Sequence, residues 1–279
     1  MSEQLAATLV AAHRAVFDGV LEVLEGLDEQ AWSTPTGCPG WDVRDQLSHM
    51  VGIERAMLGD PPDDVALPAG LDHVVTDFDR ATELAVEARR LVPAPARLAE
   101  ARDTFARRLA MLEALDPATL HEPLDGPAGM RMKASQMLRT RVFDLTCHEQ
   151  DIRRALGRGG GLEGPHTDIA VEQVLRAWAR MLPGRLGEDV VLDVEVVGHA
   201  HARLDLTEGV LHRLDPELPA SDDRAPASAD VRTAEIRLDA GQLLAVGTGR
   251  SDAPEPAALY RSGDAAVVDE LVRRGSITP

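Results

Sequence analysis

The hydrophobic pattern of this chain changes period once, and the change falls at a glycine-rich run. Between residues 3 and 27, Leu5, Leu9, Ala12, Val16, Val20, Val23 and Leu24 recur at three- and four-residue steps, which gives a helix one apolar face. Similar patterns predict helices over about 42–58, 73–92, 95–115 and 133–156. Gly59, Asp60, Pro61 and Pro62 stop the helix at 42–58, and Pro93 and Pro95 mark the next break. The segment 28–41, dense in Pro, Gly, Ser and Thr, reads as an ordered loop. Long helices joined by such loops suit an antiparallel four-helix bundle. The run GRGGGLEG, residues 157–164, is expected to be the most flexible in the chain. It separates a domain of 1–157 from one of 165–279.

Beyond it the period shortens. After a helix of about 166–182, Val190, Leu192, Val194 and Val196 alternate with Val191, Asp193 and Glu195, the pattern of a strand with one face buried. Residues 201–206, 210–214 and 230–238 predict further strands, and 239–247 and 264–274 helices. The whole is an α+β chain, a helical bundle followed by a smaller mixed domain.

Charge restricts the partners. The formal net charge is -18 over 279 residues, which repels phosphates and anionic membrane surfaces and so excludes nucleic acid and membrane as partners. No apolar run approaches the roughly 20 residues of a membrane span, and the N-terminus lacks the pattern of a signal peptide, so a cytoplasmic protein is expected. The two cysteines, Cys38 and Cys147, are too few and too far apart for a disulfide framework and read as buried thiols.

Few residues carry candidate chemistry. His49 lies in the middle of the second helix, on the face that turns inward. A lone helical His is more often a satisfied core or surface group than a ligand. In FDLTCHEQDIRRAL, residues 143–156, Asp144 and His148 are four apart and Asp151 is three further on, so all three occupy one helical stripe, with Cys147 beside it. A carboxylate and an imidazole one turn apart can grip one ion. The spacing also suits a polar helix face with an Asp–His hydrogen bond, and by itself favours that plainer reading. Cys38, in a GCPGW turn with no basic neighbour closer than Arg44, reads as a turn residue. His199 and His201 alternate on a predicted strand, without an evident third ligand. No nucleotide-binding glycine motif and no nucleophile elbow is present.

Two stretches carry a resemblance. TGCPGWDVRDQLSHMVGIE and RVFDLTCHEQDIRRALG resemble the two bundle motifs of the mycothiol-dependent maleylpyruvate isomerase family, which is DinB-like in its four-helix bundle. The C-terminal pattern, with Gly249 and Arg250 after a helix and a final helix closing on Thr278 and Pro279, resembles the small sterol-carrier-like domain of these proteins. The resemblance implies that His49, Asp144 and His148 match the family's three metal ligands, usually zinc. It implies that Asp151 matches a carboxylate important for catalysis, and that an arginine of the small domain, for which Arg250 is the candidate, serves the site. The isomerase itself uses Glu where this chain has Asp144.

Three protein ligands leave a zinc ion one open position, where the pKa of a bound thiol or water falls. The resemblance therefore implies an enzyme, monomeric or homodimeric, with a divalent metal, a low-molecular-weight thiol such as mycothiol as cosubstrate, and a small electrophile to isomerise or S-conjugate. The substrate is expected between the two domains. The alternatives are a metal-dependent hydrolase that uses water, and a small-molecule binding module without catalysis.

Overall fold

The computed structural model describes residues 2–126, 131–214 and 231–278. Residues 127–130, between two predicted helices, Asp230 at the start of a predicted strand, and Pro279 lie outside them. The chain divides into two compact units, Met1–Thr167 and Asp168–Pro279.

The first unit is built on α1 (Ser2–Leu24), α3 (Val43–Met57), α5 (Ala94–Glu113) and α6 (Ala134–Ala155). Both α1 and α3 pack against α5 and α6, which closes a four-helix ring, and α4 (Asp77–Arg89) lies against α3. The apolar stripe read in the sequence becomes the core: Val16, Phe17, Val20, Val23 and Leu24 of α1 meet Leu47, Met50 and Val51 of α3, Ala101 and Phe105 of α5, and Leu145 and Ile152 of α6. Phe17 and Phe105 stack with ring centroids 4.3 Å apart. The segment 28–41 is not loop throughout. Asp28 caps a single helical turn, α2 (Glu29–Trp32), by accepting from the Ala31 N–H at 2.8 Å. A short hairpin, β1 (Pro123–Asp125) and β2 (Arg131–Lys133), precedes α6.

The glycine run departs from the expectation of flexibility. The carbonyls of Gly159, Gly160 and Gly161 accept from Arg153, Gln150 and His166, and Arg158 donates to the Val23 carbonyl at 2.8 Å. Gly161 sits at φ +75, and a Cβ there would come within 2.4 Å of the Arg153 guanidinium and 2.5 Å of the Glu149 carboxylate. Glycine is needed so that the backbone can cross a buried ion pair, rather than for freedom of movement.

The second unit carries a five-stranded sheet in the order β5-β4-β3-β6-β7, made of β3 (Val190–Val196), β4 (Ala200–Asp205), β5 (Val210–Leu214), β6 (Arg232–Leu238) and β7 (Tyr260–Gly263). All pairs are antiparallel except β3 and β6. Register stacks one apolar face: Leu192 lies between Leu204 and Ala234, and Val194 between Ala202 and Ile236, all buried. The opposite face is laced by charge, with Arg237 3.2 Å from Glu195 and Arg203 3.6 Å from Asp193.

The helices of this unit are α7 (Pro165–Met181), α8 (Pro183–Leu186), α9 (Ala240–Gly247), α10 (Pro256–Leu259) and α11 (Ala265–Arg274). α11 packs on β6, and the buried Trp178 of α7 donates its indole N–H to the Gly275 carbonyl at 2.7 Å. The patterns at 190–196, 239–247 and 264–274 match β3, α9 and α11 closely, whereas α8, α10 and β7 are too short for periodicity to reveal. No helix among the described residues is long and apolar enough to cross a membrane.

Candidate metal centre

Two helices and one turn of the first unit converge on the candidate residues. Asp42 begins α3 with a capping box, its carboxylate accepting from the Asp45 N–H at 3.1 Å while Asp45 accepts from the Asp42 N–H at 3.2 Å. That start sets the phase of the helix, and His49 falls on its buried face at 4 % exposure. On α6 the spacing of Asp144, His148 and Asp151 lines one inward stripe, as the sequence predicts.

The three donors meet. His49 Nε2 lies 3.3 Å from Asp144 Oδ2, and His148 Nε2 lies 3.6 Å from Asp144 Oδ1. The short Asp144 side chain thus sets one oxygen against each imidazole. Donor atoms of His49, Asp144 and His148 can all be drawn within 4.8 Å of one another. Ligands around a tetrahedral zinc ion with bonds of about 2.0–2.3 Å stand about 3.3–3.8 Å apart. Both measured separations fall in that range, and the set of two neutral-capable imidazoles and one carboxylate is one that divalent ions accept, so the residues fit the metal that the resemblance implies. The Asp144 side chain, 28 % exposed against 5 % and 8 % for His49 and His148, gives the cluster its opening.

Beneath Asp144 lies a buried ion network that periodicity did not single out. Arg141 donates to Asp144 Oδ2 at 2.8 Å and to Glu54 Oε1 at 3.0 Å, and Glu54 Oε2 accepts from Arg108 at 2.8 Å. Two carboxylates and two guanidiniums balance. Burial works against the charged form of Asp144, but Arg141, His148 and His49 outweigh it and hold its pKa well below the usual carboxylate range. For His148, burial disfavours the cation, yet Asp144 first, and then the adjoining Asp151 and Cys38, raise its pKa well above the ordinary value. For His49, burial prevails and lowers it. Arg141 also orients the carboxylate, the service that neighbouring groups commonly give metal-ligating side chains.

The GCPGW turn closes one side. The Cys38 carbonyl accepts from the Trp41 N–H at 3.2 Å, with Pro39 and Gly40 at the corner and Gly40 at φ +80, the residue pattern of a type II turn. A Cβ at Gly40 would also meet the His73 ring at 2.4 Å. Across the turn, Trp41 sets its indole beside both imidazoles at a tilt, with centroids 5.0 Å from His49 and 5.9 Å from His148, while its N–H donates to Glu83 at 2.8 Å. Cys38 is more than a turn residue: its Sγ lies 3.4 Å from Asp151 Oδ2, which in turn lies 3.4 Å from His148 Nδ1. The other oxygen, Asp151 Oδ1, accepts from Arg154 at 2.6 Å.

The remaining sequence candidates lie elsewhere. His199 falls in a turn rather than on a strand and pairs with Asp168 at 2.9 Å, while His201 on β4 stands opposite Glu195, so the two do not share a strand face. Arg250 follows α9 in the second unit and donates to the Thr248 carbonyl at 3.2 Å. Cys147 is buried, as expected of a structural thiol.

A helical bundle that gathers two histidines and an aspartate from two of its helices, followed by a unit built on a mixed sheet, defines a class of two-part chains with a candidate metal centre in the helical part. The sequence profile of the mycothiol maleylpyruvate isomerase N-terminal domain matches residues 13–153, and the chain belongs to that family. The crystal structure of the mycothiol-dependent maleylpyruvate isomerase shares the fold, with a TM-score of 0.55 at 13% identity over 89% of this chain and 91% of that one. The crystal structure of a histidine-to-alanine mutant of that enzyme gives 0.53 at 12% identity over 88% and 90%. A sequence comparison with curated proteins gives no match.

Proposed function

We propose that this chain is a cytoplasmic, metal-dependent enzyme that uses a low-molecular-weight thiol, mycothiol by its family, to isomerise or S-conjugate a small electrophile. The observation that carries the reading is the His49–Asp144–His148 cluster, whose donor separations of 3.3 Å and 3.6 Å suit one divalent ion, zinc by the resemblance. A divalent ion held there would supply an open position at which a thiol loses its proton near neutral pH.

The chain's own residues supply the rest. Arg141 fixes the Asp144 carboxylate from below, so that both of its oxygens face the imidazoles. Asp151, buried and anchored by Arg154, faces the Nδ1 side of the His148 ring and acts as a positioning residue that turns Nε2 toward Asp144. Trp41 stands beside both rings and keeps water from that side of them. The thiol adds to an electrophilic double bond; rotation and departure of the thiol give an isomer, and retention of the adduct gives a conjugate. Arg250 is proposed, from the resemblance, to hold a substrate carboxylate in a two-pronged grip.

The test is elemental analysis of the untagged protein together with thiol-dependent turnover of an electrophile. About one metal ion per chain is expected, lost in His49→Ala and in His148→Ala while the helical circular dichroism persists. Turnover is expected to fall by at least about 100-fold with the metal. A chain that binds no ion after reconstitution, or whose turnover ignores the thiol, overturns the proposal in favour of a binding module or a water-using hydrolase respectively.

A further inference from the structure

The aspect of His148 turned away from Asp144 is furnished as a second donor set. His148 Nδ1 is buried and makes no hydrogen bond of adequate geometry. It faces Asp151 Oδ2 at 3.4 Å, and Cys38 Sγ lies 3.4 Å from the same oxygen. A thiol, an imidazole nitrogen and a carboxylate oxygen can thus be drawn within 4.8 Å of one another, and both measured separations again match those around a tetrahedral ion. Asp151 is 1 % exposed, His148 6 % and Cys38 9 %, so all three side chains are buried. The set is held rigid from outside: Arg154 takes Asp151 Oδ1, and the Pro39–Gly40 corner fixes Cys38.

We propose that Cys38, His148 and Asp151 form a second, thiolate-bearing cation site that shares His148 with the first site and competes with it for occupancy. This deepens the metal reading of the same centre and rests on His148 serving both positions. A neutral imidazole offers one lone pair. His148 therefore ligates through Nε2 with its proton on Nδ1, or through Nδ1 with its proton on Nε2, and one ion at a time is held. On binding at the second position, the Cys38 S–H gives its proton to solvent and the sulfur bonds the ion, so one proton is released for that thiolate. A soft ion such as cadmium favours the thiolate set, and zinc and harder ions the two-imidazole, one-carboxylate set. The chain's metal preference is then set by which nitrogen of one histidine carries the proton.

The test is titration of the full chain with cobalt(II) and with cadmium(II), read by the ultraviolet sulfur-to-metal charge-transfer band and by stoichiometry at equilibrium dialysis. In His49→Ala, which loses the ion carried by the purified chain, about one added cadmium ion per chain is expected at the second position, with the thiolate band present. In Cys38→Ser about one ion is expected without the band, and in His148→Ala none. Absence of the thiolate band from both the unaltered chain and His49→Ala overturns the proposal, as does its persistence in Cys38→Ser, which would assign it to Cys147. Should His49→Ala fail to fold, the cadmium spectrum of the unaltered chain against that of Cys38→Ser decides alone. The two proposals fail separately: metal retained by Cys38→Ser with no thiolate band anywhere leaves the first site standing, whereas metal bound only when Cys38 is present removes the first and keeps the second.

Discussion

The two units differ in what they bury. In the first, the interior holds Asp45, Glu54, Glu83, Arg89, Arg97, Arg108, Arg141, Glu149, Asp151 and Arg153, along with the site histidines. In the second, among the described residues from Asp168 onward, the buried polar side chains reduce to Thr248, besides the indole N–H of Trp178. A buried charge costs several kcal/mol unless paired, and replacing such pairs by packed apolar groups is often neutral or stabilising. The charged interior of the bundle is therefore not explained by stability. It makes sense as the support of a polar site: Glu54 and Arg108 secure Arg141, Arg141 secures Asp144, and Asp144 faces both imidazoles. The second unit, with aliphatic layers and charge confined to one open sheet face, is built as a scaffold.

The contrast can be broken by substitution. The largest effect is expected at Glu54, which is fully buried between two guanidiniums; its carboxylate is held below the ordinary pKa because Arg141 and Arg108 outweigh burial. Glu54→Gln strands Arg108 and should cost about 3–5 kcal/mol in urea unfolding of the helical signal. A loss under about 1 kcal/mol would show that the network is decoration, and the contrast would collapse.

A smaller effect is expected from pH. His13 is buried, its Nδ1 lies 2.8 Å from the Leu9 carbonyl, and its Nε2 has no hydrogen-bond partner. Burial is the main cause that lowers its pKa to about 4. Between pH 6.5 and 4 the unfolded chain takes up a proton that the folded chain refuses, so this contribution is present above pH 6.5 and is lost as pH falls toward 4. Going from pH 7 to pH 5 should cost the unaltered chain roughly 2 kcal/mol more than His13→Gln. Asp45, raised to about 6 by burial first and by Asp42 next, works in the opposite sense, losing stability as pH rises from 3.8 through 6, so the comparison must be with the variant rather than across pH alone. Equal pH slopes in the two chains would remove His13 from the account.

The smallest effect belongs to the second unit. Thr248 donates its hydroxyl to the Leu244 carbonyl at 2.7 Å, but that carbonyl already accepts from the Thr248 backbone N–H at 2.9 Å. Thr248→Val leaves no orphaned acceptor and should change stability by less than about 1 kcal/mol. A larger loss in thermal unfolding would mean that the second unit also leans on the Thr248 hydroxyl.

Legibility follows the same division. The strand at 190–196 and the helices at 239–247 and 264–274 were readable because a half-buried element writes its burial as a regular alternation. The bundle helices were readable for the same reason, from Leu9 to Val20 on α1 and from Leu138 to Ile152 on α6. At the site, the Asp144–His148–Asp151 stripe followed from helical spacing, and the resemblance joined it to His49. Cys38 is a turn residue, as its GCPGW setting implies, but its contact with Asp151 was not legible, because that partner comes from a helix over 100 residues away. Arg141 offered one signal that went unused, its position three residues before Asp144 on the same stripe.

The order of residues alone determined the two-part architecture, the faces of the long helices and which side chains of α6 share a stripe, because these depend on periods of 3.6 and 2 that local backbone geometry imposes. Tertiary structure decided what meets that stripe. Whether Asp144 faces a solvated surface or two imidazoles, and whether Cys38 is a turn thiol or a third donor on the far side of His148, depends on how α3, α6 and the Pro39–Gly40 corner pack. Packing brings together groups far apart in the chain, and no local period records it.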